Sequence, residues 1–171
     1  MDQYQERYLA HQEKKRKELT QAMKDRHSVR VFSSKQIDTD TINVLRAATD
    51  MAPSSCNRRG VKAFLATSRD NKQLLSGLLV GGVGWIHRAS ALMLFVADKT
   101  AYKEGLGFMP YLDAGFMAQN AWIEATMRGI SACFVNPNVR HQHEPVLKNV
   151  LALGDNEFLC GVLALGYKDE D

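Results

Sequence analysis

A chain of 171 residues, 45% hydrophobic and 24% charged, has the balance of one globular domain and is long enough to bury a core. Its net charge of +3 is concentrated in Lys14-Lys15-Arg16-Lys17, interleaved with Glu13 and Glu18, and lacks the continuous basic stripe that nucleic-acid binding requires. The three cysteines, Cys56, Cys133 and Cys160, form no spaced pair, which excludes a disulfide framework and leads us to expect a reducing, cytoplasmic setting.

The start, Met1 to Glu6, is polar and has no signal core, and a charged, helix-favouring stretch follows, giving an N-terminal helix over residues 1–23 with a thin apolar face (Tyr8, Leu9, Leu19, Ala22, Met23). The segment Arg26-His27-Ser28-Val29-Arg30-Val31-Phe32 reads as extended. Arg26, Ser28 and Arg30 then share one face, because side chains alternate with period 2. Two permanent cations and a hydroxyl on one face suit a phosphate monoester.

Asp38-Thr39-Asp40 offers N-caps for a helix with apolar positions Ile42, Leu45, Ala48 and Met51, ended by Pro53. The polar loop Pro53-Ser54-Ser55-Cys56-Asn57 lies between that helix and a strand over 61–67, a place where loops present donors to ligands, and the Asn57 amide suits the edge of a heterocycle. A short helix over 71–79 leads to Gly81-Gly82-Val83-Gly84. These glycines follow a helix and precede a strand, the reverse of a dinucleotide fingerprint, so they read as a turn or lid.

The run Ala89 to Ala97 holds an apolar strand over 91–97, contains Ser90 and is too short to span a bilayer. Pro110 starts a long helix to Met127, with Gly129 as its C-cap, and Ala114, Gly115, Ala118 and Ala121 along it would let another helix approach closely. A strand over 130–135 ends at Asn136-Pro137-Asn138, a helix over 145–153 is stopped by Gly154, and a last strand runs over 158–167. His141 and His143 have no third ligand at a supporting spacing, so no metal site is expected. Ser54, Ser55 and Cys56 lack a nucleophile elbow or a histidine partner. Alternating helices and apolar strands give an α+β or α/β sandwich around a central sheet, formed by one domain over 1–171.

Arg26 to Phe32, Ala52 to Asn57, Asp113 to Asn120 and Arg128 to Phe134, with Leu163 to Tyr167 as a weaker fifth block, occur in the order and spacing of a known family. In these blocks the chain resembles the FMN-dependent nitroreductase-like superfamily. The resemblance implies an α+β sandwich with a central, mostly antiparallel sheet flanked by helices, forming an intertwined homodimer with FMN sites at the subunit interface. It implies that Arg26 and Ser28 hold the phosphate and ribityl chain, with His27 also among the cofactor-binding residues and Arg30 near the N1 and C2 edge of the ring. Pro53, Ser54, Ser55 and Asn57 would line the ring from the partner subunit, and Asn136 would lie where donors approach flavin N5 and O4. Asp113 to Trp122 would be the dimer-core helix.

The implied activity is ping-pong hydride transfer from NAD(P)H through flavin N5 to an electron-poor small molecule such as a nitro compound or quinone. The protein supplies position and electrostatics, and no dedicated acid–base residue is needed. Two further readings are an FMN dehydrogenase of an anionic biosynthetic intermediate and a non-catalytic flavin-binding dimer. Arg58-Arg59-Gly60 stands where the family often has a Gln-Pro-Trp run, and the two cations motivate the anionic substrate. Pro137 removes a backbone donor near the expected N5 contact, and the family's usual later basic residues are not found before Asp171. We therefore expect Arg26, with Lys168 or Arg140, to carry more of the phosphate.

Overall fold

The computed structural model describes residues 3–169. It contains α1 (Gln3–Asp25), α2 (Thr39–Asp50), β1 (Val61–Ala66), α3 (Arg69–Leu78), β2 (Ala91–Asp98), α4 (Met109–Met127), β3 (Ser131–Val135), α5 (Glu144–Val150) and β4 (Glu157–Gly166). The four strands form one sheet in the order β1-β2-β4-β3, and every strand pair is antiparallel.

The expected α+β sandwich is present, and burial explains its strand patterns. Strands β2 and β4 occupy the middle, so β2 is buried on both faces from Ala91 to Ala97 and reads as a continuous apolar run. Met93, Phe95, Leu163 and Leu165 face one core with Leu45 of α2 and Ala118 and Ala121 of α4. Leu92, Leu94, Val162 and Ala164 face a second core with Leu75 and Leu78 of α3 and Leu147 of α5. The register between β2 and β4 shifts at Phe95/Val96, beside Gly161. A methyl group at Gly161 would collide with the Phe134 ring, so glycine is what allows the ring to lie on the backbone there.

Local chemistry sets the helix ends. Asp38 caps α2, its Oδ1 accepting the Thr41 N–H at 2.8 Å. Ile42, Leu45 and Ala48 face the core as the apolar spacing predicts. Met51 does not: the helix ends at Asp50, and Met51 is a cap residue left 78% exposed. Pro110 lies in the first turn of α4, and Gly129 (φ +70°) ends that helix with its own N–H donating to Thr126 O and the Ile130 N–H to Ala125 O. The same closure ends α5 three residues before the expected Leu153. Ala152 takes φ +50° and the Leu153 N–H donates to Lys148 O, so Gly154 is not the stop.

The glycine segment 81–84 is a turn pinned at its first two residues. Trp85 Nε1 donates to Gly81 O at 2.9 Å, Ser76 Oγ to Gly82 O at 3.2 Å, and Gly82 is buried against Ile86. The small residues of α4 divide between two faces. Ala114, Ala118 and Ala121 are buried in the chain's own core, while Leu112, Gly115 and Phe116 form the outer face.

Candidate functional site

Arg26 to Phe32 runs along the β3 edge of the sheet. Ser28 forms a parallel bridge with Ala132, and the Val29 N–H donates to Ala132 O at 3.0 Å. Val29 is buried, which turns Ser28 and Arg30 outward, as the period of 2 predicts. The alternation then breaks. Val31 is exposed and Phe32 is buried, because the segment leaves β3 to pair with the extension of β4: Phe32 bridges Lys168, the Ser33 N–H donates to Tyr167 O, and the Asp169 N–H to Val31 O. The Lys168 backbone is thereby brought beside the same segment.

Three of the predicted residues on this edge acquire definite surroundings. The Arg26 guanidinium stacks over Trp122 of α4, 4.6 Å from the ring centroid. His27 turns back to the end of α1, its Nδ1–H donating to Asp25 O at 2.7 Å. Asn136, just past β3, accepts the Asn138 N–H at 3.1 Å and lies beside Gly81. A methyl group at Gly81 would come within 3.5 Å of the Asn136 amide, so the glycine turn shapes the floor beside that side chain.

The second predicted group lies elsewhere. Pro53 and Ser54 line a cleft of about 400 Å³ between the end of α2, the outer side of β1 and α4, together with Arg59 and Asp113. Strand β1 is the opposite edge of the sheet from β3. Three strand spacings of ~4.8 Å separate the two edges, with β2, β4 and their buried side chains between them. One chain therefore does not bring Arg26, Ser28 and Arg30 together with Pro53, Ser54, Ser55 and Asn57.

The loop itself is tightly determined. Cys56 (φ 49°), Asn57 (φ 55°) and Arg59 (φ 55°) all occupy the left-handed region, unusual for three side-chain-bearing residues within four positions. Arg58 donates to Ser55 O and Ser55 Oγ, both at 3.2 Å. Arg59 donates to Asp50 O at 2.6 Å and to Asn57 Oδ1 at 3.0 Å, and its N–H to Ser54 Oγ at 3.1 Å. Both guanidiniums thus organise their own loop.

Two groups that the sequence reading passed over sit beneath it. Asp113, 1% exposed, accepts the Ser55 N–H at 2.9 Å and the Tyr102 hydroxyl at 2.8 Å. Burial and the adjacent Asp113 carboxylate push the Tyr102 phenol far above its ordinary range, so it stays protonated and remains a donor. Burial also pushes the nearby Cys160 thiol up to about 12, with Asp113 adding to the effect. The available signal was a lone carboxylate at a core position of α4, one step before Ala114 and four before Met117.

Against known proteins, the model of the Nitroreductase family matches residues 23–82 and 79–167. A protein of Archaeoglobus fulgidus, provisionally named NADH dehydrogenase/NAD(P)H nitroreductase, is 27% identical over 150 residues, covering 85% of this chain and 83% of its own. The FMN reductase [NAD(P)H] of Bacillus subtilis is 28% identical over 81 residues, 47% of this chain and 32% of that protein. An FMN-dependent nitroreductase structure from Clostridium difficile R20291 superposes with a TM-score of 0.76 at 19% identity, covering 88% of this chain and 87% of its own. The family match spans both sheet edges, the loop before β1 and helix α4, and on that ground the chain belongs to the Nitroreductase family.

Proposed function

We propose that this protein is an FMN-dependent NAD(P)H oxidoreductase that works as a homodimer. In this reading Arg26, Ser28, Arg30 and Asn136 of one copy and Pro53, Ser54, Ser55 and Asn57 of the other share one flavin. The observation that carries the proposal is the separation of these two donor groups onto opposite edges of one sheet. Neither group closes around a ring alone, and a second copy supplies the missing half.

The donor chemistry fits the cofactor. Ser28 and Arg30 are exposed on the outer side of the edge, and an outward guanidinium and hydroxyl suit a phosphate and ribityl chain. Arg26 adds a second guanidinium, held in place by Trp122. Arg30 supplies a permanent cation that would offset the negative charge gained on reduction. The fixed loop around Ser54 and Asn57 offers preorganised polar atoms and excludes water from one side. When bound, FMN supplies the two-electron chemistry, accepting electrons from NAD(P)H and passing them to an electron-poor acceptor such as a nitro compound or quinone.

Relatives named FMN reductase and NAD(P)H nitroreductase support this reading. The anionic-substrate alternative rested on Arg58 and Arg59. Since both guanidiniums already donate to oxygens of their own loop and of the end of α2, we favour a neutral acceptor. The test is anaerobic spectroscopy of the purified protein with FMN. A yellow complex that NADH or NADPH bleaches, and that a quinone or nitroarene restores, is expected. Flavin binding without bleaching would indicate a non-catalytic flavoprotein, and absence of binding would overturn the proposal.

A further inference from the structure

Asp113 is a carboxylate at a core position of a helix, and no lysine or arginine lies within ion-pair distance of it among the described residues. An apolar side chain would fill that position without the desolvation cost of a charge. Both donors to it belong to segments outside α4. The Ser55 N–H begins the left-handed run, and the Tyr102 hydroxyl comes from the segment after β2. The Tyr102 ring also packs against the far end of the same loop, where a methyl group on Gly60 would come within 2.5 Å of it. Asp113 and Tyr102 therefore touch the loop at both of its ends, at Ser55 and at Gly60.

Between these two points lie Cys56, Asn57 and Arg59, all left-handed; asparagine tolerates that conformation, but Cys56 and Arg59 avoid it unless the surroundings impose it. The hydrogen bonds of Arg58 and Arg59 are internal to the loop or reach the end of α2, so they stiffen it without fixing it to the sheet and α4. A carboxylate accepting a backbone N–H makes a charge-assisted bond, the stronger kind, and it is shielded from water here.

We propose that Asp113 and Tyr102 form a clamp that holds the loop Ser54 to Arg59, with its left-handed Cys56, Asn57 and Arg59, in shape and thereby sets the affinity for FMN. Both are positioning residues that act on the flavin through the loop. The inference rests on the flavin reading above and adds to it the device that keeps the partner-facing half of the site in shape before any ligand arrives.

The test is titration of FMN by quenching of its fluorescence, with wild type, Tyr102→Phe, Asp113→Asn and the double variant, each repeated in a Cys56→Gly background. Each single variant is expected to raise the Kd about tenfold, the scale of one lost hydrogen bond. The double variant is expected to fall short of the product of the two, because both act on one loop. Glycine takes positive φ without penalty, so Cys56→Gly is expected to recover part of the affinity lost in Tyr102→Phe. A purely packing role for Tyr102 would give the same fold loss in both backgrounds and would overturn the clamp. Wild-type affinity in both single variants would overturn it as well. Tyr102→Phe removes one oxygen and carries the test if Asp113→Asn does not fold. Failure of the wild type to bind FMN would overturn the flavin reading itself, a result distinct from either of these.

Discussion

Arg26 shows how a residue legible in the sequence acquires its working geometry only from the fold. Its charge and its spacing from Ser28 and Arg30 suggest a phosphate grip, and the structure adds the Trp122 ring 4.6 Å beneath its guanidinium. Stacking of this kind contributes roughly 0.5–2 kcal/mol and holds a flexible side chain in one place. Arg26→Ala is expected to weaken FMN binding by about 1.5–3 kcal/mol, the range of a charged hydrogen bond. An unchanged Kd by fluorescence titration would remove Arg26 from the phosphate site. Cysteine chemistry separates equally clearly at this scale. Cys56 is exposed on the strained loop, whereas Cys133 and Cys160 are buried and burial pushes the Cys160 thiol up to about 12. Iodoacetamide at pH 8 should therefore modify Cys56 alone in the folded protein and all three in urea, as peptide mapping would read out. Arg58 and Arg59 are the counterexample, since as bare charges they suggested an anionic substrate. Their hydrogen bonds depend on a backbone that reverses through three left-handed residues, which no spacing rule foretells.

The elements follow their local signals where capping or burial decides them. Asp38 holds α2 through the Thr41 N–H and hydroxyl, and those bonds keep its carboxyl below the usual 3.8. The unfolded chain binds that proton more readily, so the stabilisation is complete above the ordinary value and is lost as pH falls through the lower folded one. Asp38→Asn keeps a capping acceptor but does not titrate. In urea denaturation at successive pH values, wild type should lose stability more steeply than Asp38→Asn below about pH 4, and the two should converge at the acid end. Parallel curves would show that the cap does not contribute through its charge. Met51 marks the limit of the periodic argument. Four apolar positions fit one stripe, but the fourth is itself the C-cap, and that side chain stays in water. On α4 the small residues were legible and their direction was not, because sheet and helices compete for the same stripe and only packing shows which side Ala118 takes.

At the scale of the whole molecule, the separation of the two donor groups makes a prediction that neither group makes alone. A copy carrying Arg26→Ala and Arg30→Ala loses one half of each site, and a copy carrying Ser54→Ala and Asn57→Ala loses the other. Each homodimer should bind FMN poorly. Mixed in equal amounts and allowed to exchange, half of the dimers combine the two, each with one intact site, so about a quarter of all sites should regain wild-type affinity. Recovery in mixed samples by flavin titration would support shared sites, and no recovery after verified subunit exchange would refute them. The sequence by itself determined a sandwich of helices around a central sheet, the chain order of helices and strands, and the residue types of both donor groups, because hydrophobic period, caps and turn residues act over a few positions. Only the tertiary structure decided that those groups stand at opposite edges of one sheet, that Asp113 and Tyr102 reach the same loop, and that Arg26 rests on Trp122. The contacts join residues 58 (Ser55 and Asp113), 42 (Gly60 and Tyr102) and 96 (Arg26 and Trp122) positions apart, and they follow from strand order and packing, which local chemistry does not encode.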